Sequence, residues 1–167
     1  MHFRKAQKND VDAIAALYAQ AVAYFAHNGI DQWQHGYPNA ESAEADIAAE
    51  NSYLLENEDG VLATAMFCIG HESTYDHIYD GSWAVDGPYA FIHRVAVSND
   101  QKGKGVVQVL FNKFDLMCKL KNIKSLRVDT HEQNRSMQRA LTKNGFECRG
   151  IIYLADGSKR LAFEKAV

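Results

Sequence analysis

Proline occurs only twice and cysteine three times in 167 residues. No apolar run approaches the ~20 residues of a membrane-spanning helix. So little proline, with no low-complexity tract, argues against a disordered chain. Cys68, Cys118 and Cys148 are odd in number and lack C-x-x-C spacing. That speaks against a disulfide framework and reads as reduced, mostly buried thiols of a cytoplasmic protein. No metal is expected either: the pairs His71/His77 and His27/His35 lack compact ligand spacing, and no cysteine stands near to complete a site. An excess of basic charge is also missing. Lys plus Arg is 18 against 21 Asp plus Glu, a formal charge of −3. Nucleic acid and membrane surfaces are therefore not expected partners. Residues Met1–Lys5 lead into a polar run without the apolar stretch of a secretory leader.

What the chain does have is 47% hydrophobic residues and 11% aromatics. At this length they suit one domain, residues 1–167, with a core that needs no staple. Phe3 to Ala6 reads as a strand. Asn9 or Asp10 then caps a helix whose apolar face is Ile14, Leu17, Tyr18, Ala21, Val22 and Phe25. Asn28-Gly29 stops it, and Asn39 opens a second, shorter helix. Ser52–Leu55 and Val61–Ile69 read as strands joined through Asp59-Gly60. After an irregular stretch over Gly70–Pro88, Tyr89–Val97 is nearly continuous in apolar residues, as for a strand covered on both faces. A helix striped by Val107, Leu110, Phe111, Phe114, Met117 and Cys118 follows. Then come a strand at Leu126–Thr130, a helix through Met137, Ala140 and Leu141, and a final hairpin turning at Asp156-Gly157. The order β-α-α-β-β-β-α-β-α-β-β predicts an α/β (α+β) sandwich with a mostly antiparallel sheet.

The most informative segment runs from Val95 to Val107. A buried strand enters a basic loop, Lys102-Gly103-Lys104-Gly105, that opens a helix. Unsatisfied N–H groups at a helix N-terminus and two lysines make an anion site, and glycines let a phosphate approach the backbone. An ordinary strand-to-helix turn with solvated lysines is the plainer alternative. The loop matches neither G-x-x-x-x-G-K-[ST] nor G-x-G-x-x-G, since position 108 is Gln. It resembles instead the coenzyme A signature of the GNAT superfamily of acetyl-CoA-dependent N-acetyltransferases, Gln/Arg-x-x-Gly-x-Gly/Ala. Lys102 stands at its first position, Gly105 matches, and Val107 replaces the last Gly/Ala. The strand, Asn134 and the helix ending in Asn144-Gly145-Phe146 resemble the second hallmark of that family, and the likeness covers essentially the whole chain.

The resemblance implies a mixed, mostly antiparallel twisted sheet flanked by helices on both faces. It also implies acetyl-CoA as cosubstrate and acetyl transfer to a primary amine of a small molecule or peptide. Val95 and Val97 would offer main-chain groups to the pantetheine arm. The N–H groups of Lys102, Gly103, Lys104, Gly105, Val106 and Val107 would cradle the pyrophosphate, and Asn134 would hydrogen-bond the coenzyme. A homodimer is plausible on the same ground. The tyrosine that family members often carry just before the Gly-Phe has no counterpart, since Leu141 or Thr142 occupies its place. That departure, with Val107, keeps open a non-catalytic acyl-CoA-binding or regulatory module; a nucleotide-binding domain is the third reading.

Acetyl transfer needs a neutral amine, so a base or a water path must take its proton. His93, on the central strand, and His131, after the next one, are the candidates; a core or capping role is the plainer reading of each. Arg94 is expected on the opposite strand face from His93, as a structural ion-pair partner. Trp33 and Tyr37, in an aromatic loop, and Tyr79, in the acidic and aromatic segment 70–88, are the candidate acceptor-binding residues. The plainer reading is a loop pinned to the core.

Overall fold

The computed structural model describes all of residues 1–167. Seven strands and four α-helices follow one another as expected: β1 (His2–Lys5), α1 (Val11–His27), α2 (Ala40–Ala48), β2 (Ser52–Asn57), β3 (Gly60–Ile69), β4 (Ala90–Val97), α3 (Val106–Leu120), β5 (Ser125–Thr130), α4 (Arg135–Lys143), β6 (Glu147–Tyr153) and β7 (Lys159–Ala166). The sheet order is β1-β2-β3-β4-β5-β7-β6. The β4–β5 pair is parallel, with Ala90 opposite Leu126, whereas β1–β2, β2–β3, β5–β7 and β6–β7 are antiparallel.

Two compact units divide the chain. The first comprises Met1–Phe67 and His93–Leu110; the second comprises Cys68–Ile92 and Phe111–Val167. In the first unit, Val11, Ile14, Leu17 and Tyr18 of α1 pack with Ala43, Leu54 and Ala96. The helical spacing of those α1 residues aligns them on one face, which is why they reach the core together. Asn39 caps α2 as expected: its side chain accepts from the Ser42 N–H at 3.0 Å, and the Ser42 hydroxyl accepts from the Asn39 N–H at 3.3 Å. Asp10 precedes α1, yet its carboxylate turns backward. It accepts from the Gln7 N–H at 2.7 Å and from both terminal nitrogens of Arg4 at 2.7 and 2.9 Å.

In the second unit, α4 ends where Asn144-Gly145 required. The Phe146 N–H bonds to Leu141 O and the Gly145 N–H to Thr142 O, both at 3.1 Å, and Gly145 has φ +85°. This is the paired closure that a left-handed glycine allows. Phe146 is thereby carried back under Phe111, with ring centroids 5.3 Å apart. The same unit buries a charge. Glu164 is 2% exposed. Its carboxylate accepts from the Ser125 hydroxyl at 2.6 Å, the Ala84 N–H at 2.5 Å and Arg127 Nε at 3.3 Å. Several donors together make a buried carboxylate tolerable.

The thiols differ from expectation. Cys118 is buried, Cys68 is half-buried and Cys148 is exposed; all three are free. Cys118 lies on the α3 stripe, where burial pushes its thiol up to about 11. Cys148 is carried on β6 among exposed positions, a placement that its residue type did not reveal.

Arg4 holds the Asp10 carboxyl below its ordinary value of 3.8. A lowered folded-state pKa stabilises the fold at higher pH, and that stabilisation disappears as pH falls through the lowered value. Asp10→Asn is therefore expected to cost about 1–2 kcal/mol at neutral pH in urea unfolding, with the gap from the parent protein closing as pH falls below the ordinary 3.8 and through the lowered value. A gap unchanged in acid would mean that the carboxylate charge does not matter.

Candidate active site

The loop between β4 and α3 lies in the first unit. A short 3-10 turn at Asn99–Gln101 precedes it. Gly103 and Gly105 take φ +77° and +79°, and a Cβ at either would meet nothing within 4 Å. Conformation rather than crowding thus demands glycine here, and both α-carbons face open space. The Gly105 carbonyl accepts the first bond of α3, from the Val109 N–H at 3.2 Å. The N–H groups of Val106, Val107 and Gln108 consequently form the first turn, where a helix has no carbonyl of its own to satisfy them. Helix α1 braces the loop from one side: Gln20 Oε1 accepts from the Asn99 N–H at 2.8 Å, and the Lys102 ammonium sits 4.1 Å from the Tyr24 ring centre. Partial burial lowers the Lys102 pKa. The loop is therefore held open, exposed and positively charged, which fits a diphosphate.

Strand β4 leads into this loop. His93, Arg94, Val95 and Val97 are half-buried, while Ala96 is buried. Arg94 departs from the expected alternation because it takes φ +54° in mid-strand. Its role as an ion-pair partner is present: Nε and Nη2 reach the two Asp46 carboxylate oxygens at 2.7 and 2.6 Å. Nη1 donates to the Tyr37 hydroxyl. Burial alone would lower the Arg94 pKa, but the Asp46 hydrogen bonds and Tyr37 outweigh it and raise the value. Tyr18, 1% exposed, lies in the same cluster, and burial raises its pKa. Trp33 packs edge-on to Tyr18 and Phe25, at 6.1 and 5.5 Å between ring centres. Trp33 and Tyr37 accordingly pin the 30–38 loop, and Tyr37 remains 46% exposed.

The remaining candidates lie in the second unit. His131 Nδ1 accepts from the Gln133 N–H at 3.1 Å. A neutral ring that accepts at Nδ1 carries its hydrogen on Nε2, so its lone pair is already engaged. Asn134, 4% exposed, caps α4 by accepting from the Met137 N–H at 3.1 Å. Of the two positions where the family tyrosine is expected, Leu141 is fully buried and Thr142 is exposed. Tyr79 pairs its backbone with Ile151 through two 2.8 Å bonds and sets its half-exposed ring edge-on to Tyr153. Elsewhere in segment 70–88 the aromatic character has an internal partner: Arg127 lies between Trp83 and Tyr89, 4.2 and 4.0 Å from their ring centres. Sequence reasoning passed over Asp46 and Gln20. Nothing marks either in the sequence, because each acts on a residue about 50 or 80 positions away.

The acetyltransferase (GNAT) family model matches residues 14–146. A GNAT-family acetyltransferase from Streptococcus agalactiae 2603 is 35% identical, with a TM-score of 0.91, covering 99% of this chain and 95% of that one. A putative acetyltransferase from Salmonella typhimurium, solved with its cofactor acetyl-CoA, is 17% identical at a TM-score of 0.69, covering 99% of this chain and 92% of its own. A phosphinothricin acetyltransferase from Sinorhizobium meliloti, in complex with acetyl-CoA, is 14% identical at 0.71, covering 99% and 88%. These two show a shared fold. No curated protein matches the sequence. With the family model running through both units and a 35% identical relative covered almost end to end, the chain belongs to the GNAT acetyltransferase family.

Proposed function

We propose that the chain is a single acetyltransferase domain, residues 1–167, that moves an acetyl group from acetyl-CoA to a primary amine of a small molecule or peptide. The observation that carries this reading is the open Gly103–Gly105 loop at the start of α3, in a chain of this family. Its N–H groups from Lys102 to Val107 hold the pyrophosphate, except that of Lys104, which donates to the Gln101 carbonyl at 3.3 Å; the Lys104 side chain adds charge. Val95 and Val97 offer backbone groups to the pantetheine arm. When bound, acetyl-CoA supplies an activated thioester carbonyl and a thiolate leaving group.

The chain's own part is to bind, orient and move a proton. His93, on β4 beside the Arg94 kink, takes the proton of the incoming amine. His131 is the less suitable base because its Nδ1 lone pair serves the Gln133 N–H. Backbone N–H groups of β4 stabilise the charge that grows on the carbonyl oxygen. The Leu141 side chain cannot protonate a leaving thiolate. Solvent does so, and proximity supplies much of the rate. Trp33 and Tyr37 contact the acceptor. A cytoplasmic location, with its acetyl-CoA pool and reducing conditions, fits three free thiols.

Leu141 also supports a second reading, a non-catalytic acyl-CoA-binding module. Calorimetry separates these from a nucleotide-binding domain: acetyl-CoA should bind at micromolar Kd and ATP should not. Thiol release with a panel of primary amines then distinguishes the enzyme from the silent module. Gly105→Glu should weaken acetyl-CoA binding at least ~10-fold, since a carboxylate would face the phosphates and φ would be strained. Unchanged affinity in a folded Gly105→Glu protein would remove the loop from the site. Trp33→Ala should alter amine use, read as KM for the amine, more than it alters the Kd of acetyl-CoA. The opposite pattern would detach the 30–38 loop from acceptor binding.

A further inference from the structure

Arg94 is a large residue in a left-handed conformation in the middle of a strand. Such a conformation is unfavourable for a side chain of this size and persists only where its surroundings over-determine it. Here the determinant is visible. The Arg94 fork grips both oxygens of Asp46, and the two side chains are only 13% and 9% exposed. Asp46 is fixed in turn, because α2 packs on α1 through Ala43 and begins at the Asn39 cap. Nη1 of the same guanidinium reaches the hydroxyl of Tyr37 in the exposed loop. With Asp46 taking its charge, Arg94 is poorly suited to bind an anionic substrate group itself. What it does hold is its own backbone. A left-handed residue turns the adjoining peptide groups out of the regular strand pattern, and this one stands between His93 and Val95.

We infer that the Arg94–Asp46 pair is a positioning device. It keeps β4 kinked so that the backbone N–H groups flanking residue 94 point at the thioester carbonyl oxygen, and Tyr37 ties the acceptor loop to the same guanidinium. The inference rests on the proposed acetyl-CoA site. Arg94 and Asp46 act through the backbone and touch neither the coenzyme nor the amine.

The test needs no known acceptor. Acetyl-CoA labelled with carbon-13 at the acetyl carbonyl is bound to the purified protein, and its carbonyl stretch is read by difference infrared spectroscopy, with Kd from calorimetry and folding from circular dichroism. Hydrogen bonds to the carbonyl oxygen lower that frequency. Arg94→Lys keeps a cation facing Asp46, so folding is preserved, but a lysine cannot reproduce the bidentate grip. It should lose more than about half of the frequency shift while the acetyl-CoA Kd changes less than ~3-fold. The double variant Asp46→Ala with Arg94→Gly removes both charges and gives the kink to a residue that adopts it freely. It should retain more of the shift than Arg94→Lys, whereas a guanidinium acting directly on the carbonyl would make both variants lose it alike. A full parent shift in Arg94→Lys would overturn the positioning role and leave the coenzyme site standing. Binding without any shift in the parent protein would likewise overturn only this inference. Failure of the parent protein to bind acetyl-CoA would overturn the proposed function and the inference with it.

Discussion

The bidentate pair between Arg94 and Asp46 is the interaction that fixes the middle of β4. A regular strand spends its N–H groups on its neighbours, so a strand that must also present donors to a substrate has to break its own pattern. Glycine is the usual way to enter the left-handed region. This chain places an arginine there and fixes it with a carboxylate from α2. The result is stiffer than a glycine kink, since a planar fork on a carboxylate sets direction as well as distance. It also makes the β4 backbone answer to a helix and to a loop tyrosine at once.

The loop at the start of α3 follows the opposite strategy. Gly103 and Gly105 adopt their backbone conformation at little steric cost, and both face open space. Rigidity is supplied from outside, by Gln20 and Tyr24. These residues stand one turn apart on α1 and meet Asn99 and Lys102. An exposed N–H-rich surface is compatible with a fixed shape only because another element carries the ordering cost, which for flexible loop residues amounts to about 1–2 kcal/mol each.

In the second unit an irregular segment is fastened by partners far along the chain. Residues 70–88 carry aromatics and acids with no lysine or arginine, a composition that suits a cation. Arg127 of β5 is that cation for Trp83 and Tyr89. Glu164 of β7 completes the cluster by accepting from Arg127 and from the Ala84 N–H. An irregular segment is thus fastened to the sheet through a buried charge system.

The sequence by itself determined the order and ends of the elements, because those depend on local signals. Apolar spacing aligned Ile14, Leu17 and Tyr18, while Asn39 and Asn144-Gly145 marked boundaries through hydrogen bonds only a few residues long. The conformation of the Lys102–Gly105 loop was legible for the same reason, being one contiguous stretch whose two glycines take positive φ. Tertiary structure decided what depends on residues distant along the chain. It put Cys148 at the surface, set Arg127 against Trp83, and joined Arg94 to Asp46 across 48 positions. Side-chain pairing at that range leaves no periodic trace in a sequence. It arises only when packing brings two elements together and leaves a charge that must be met.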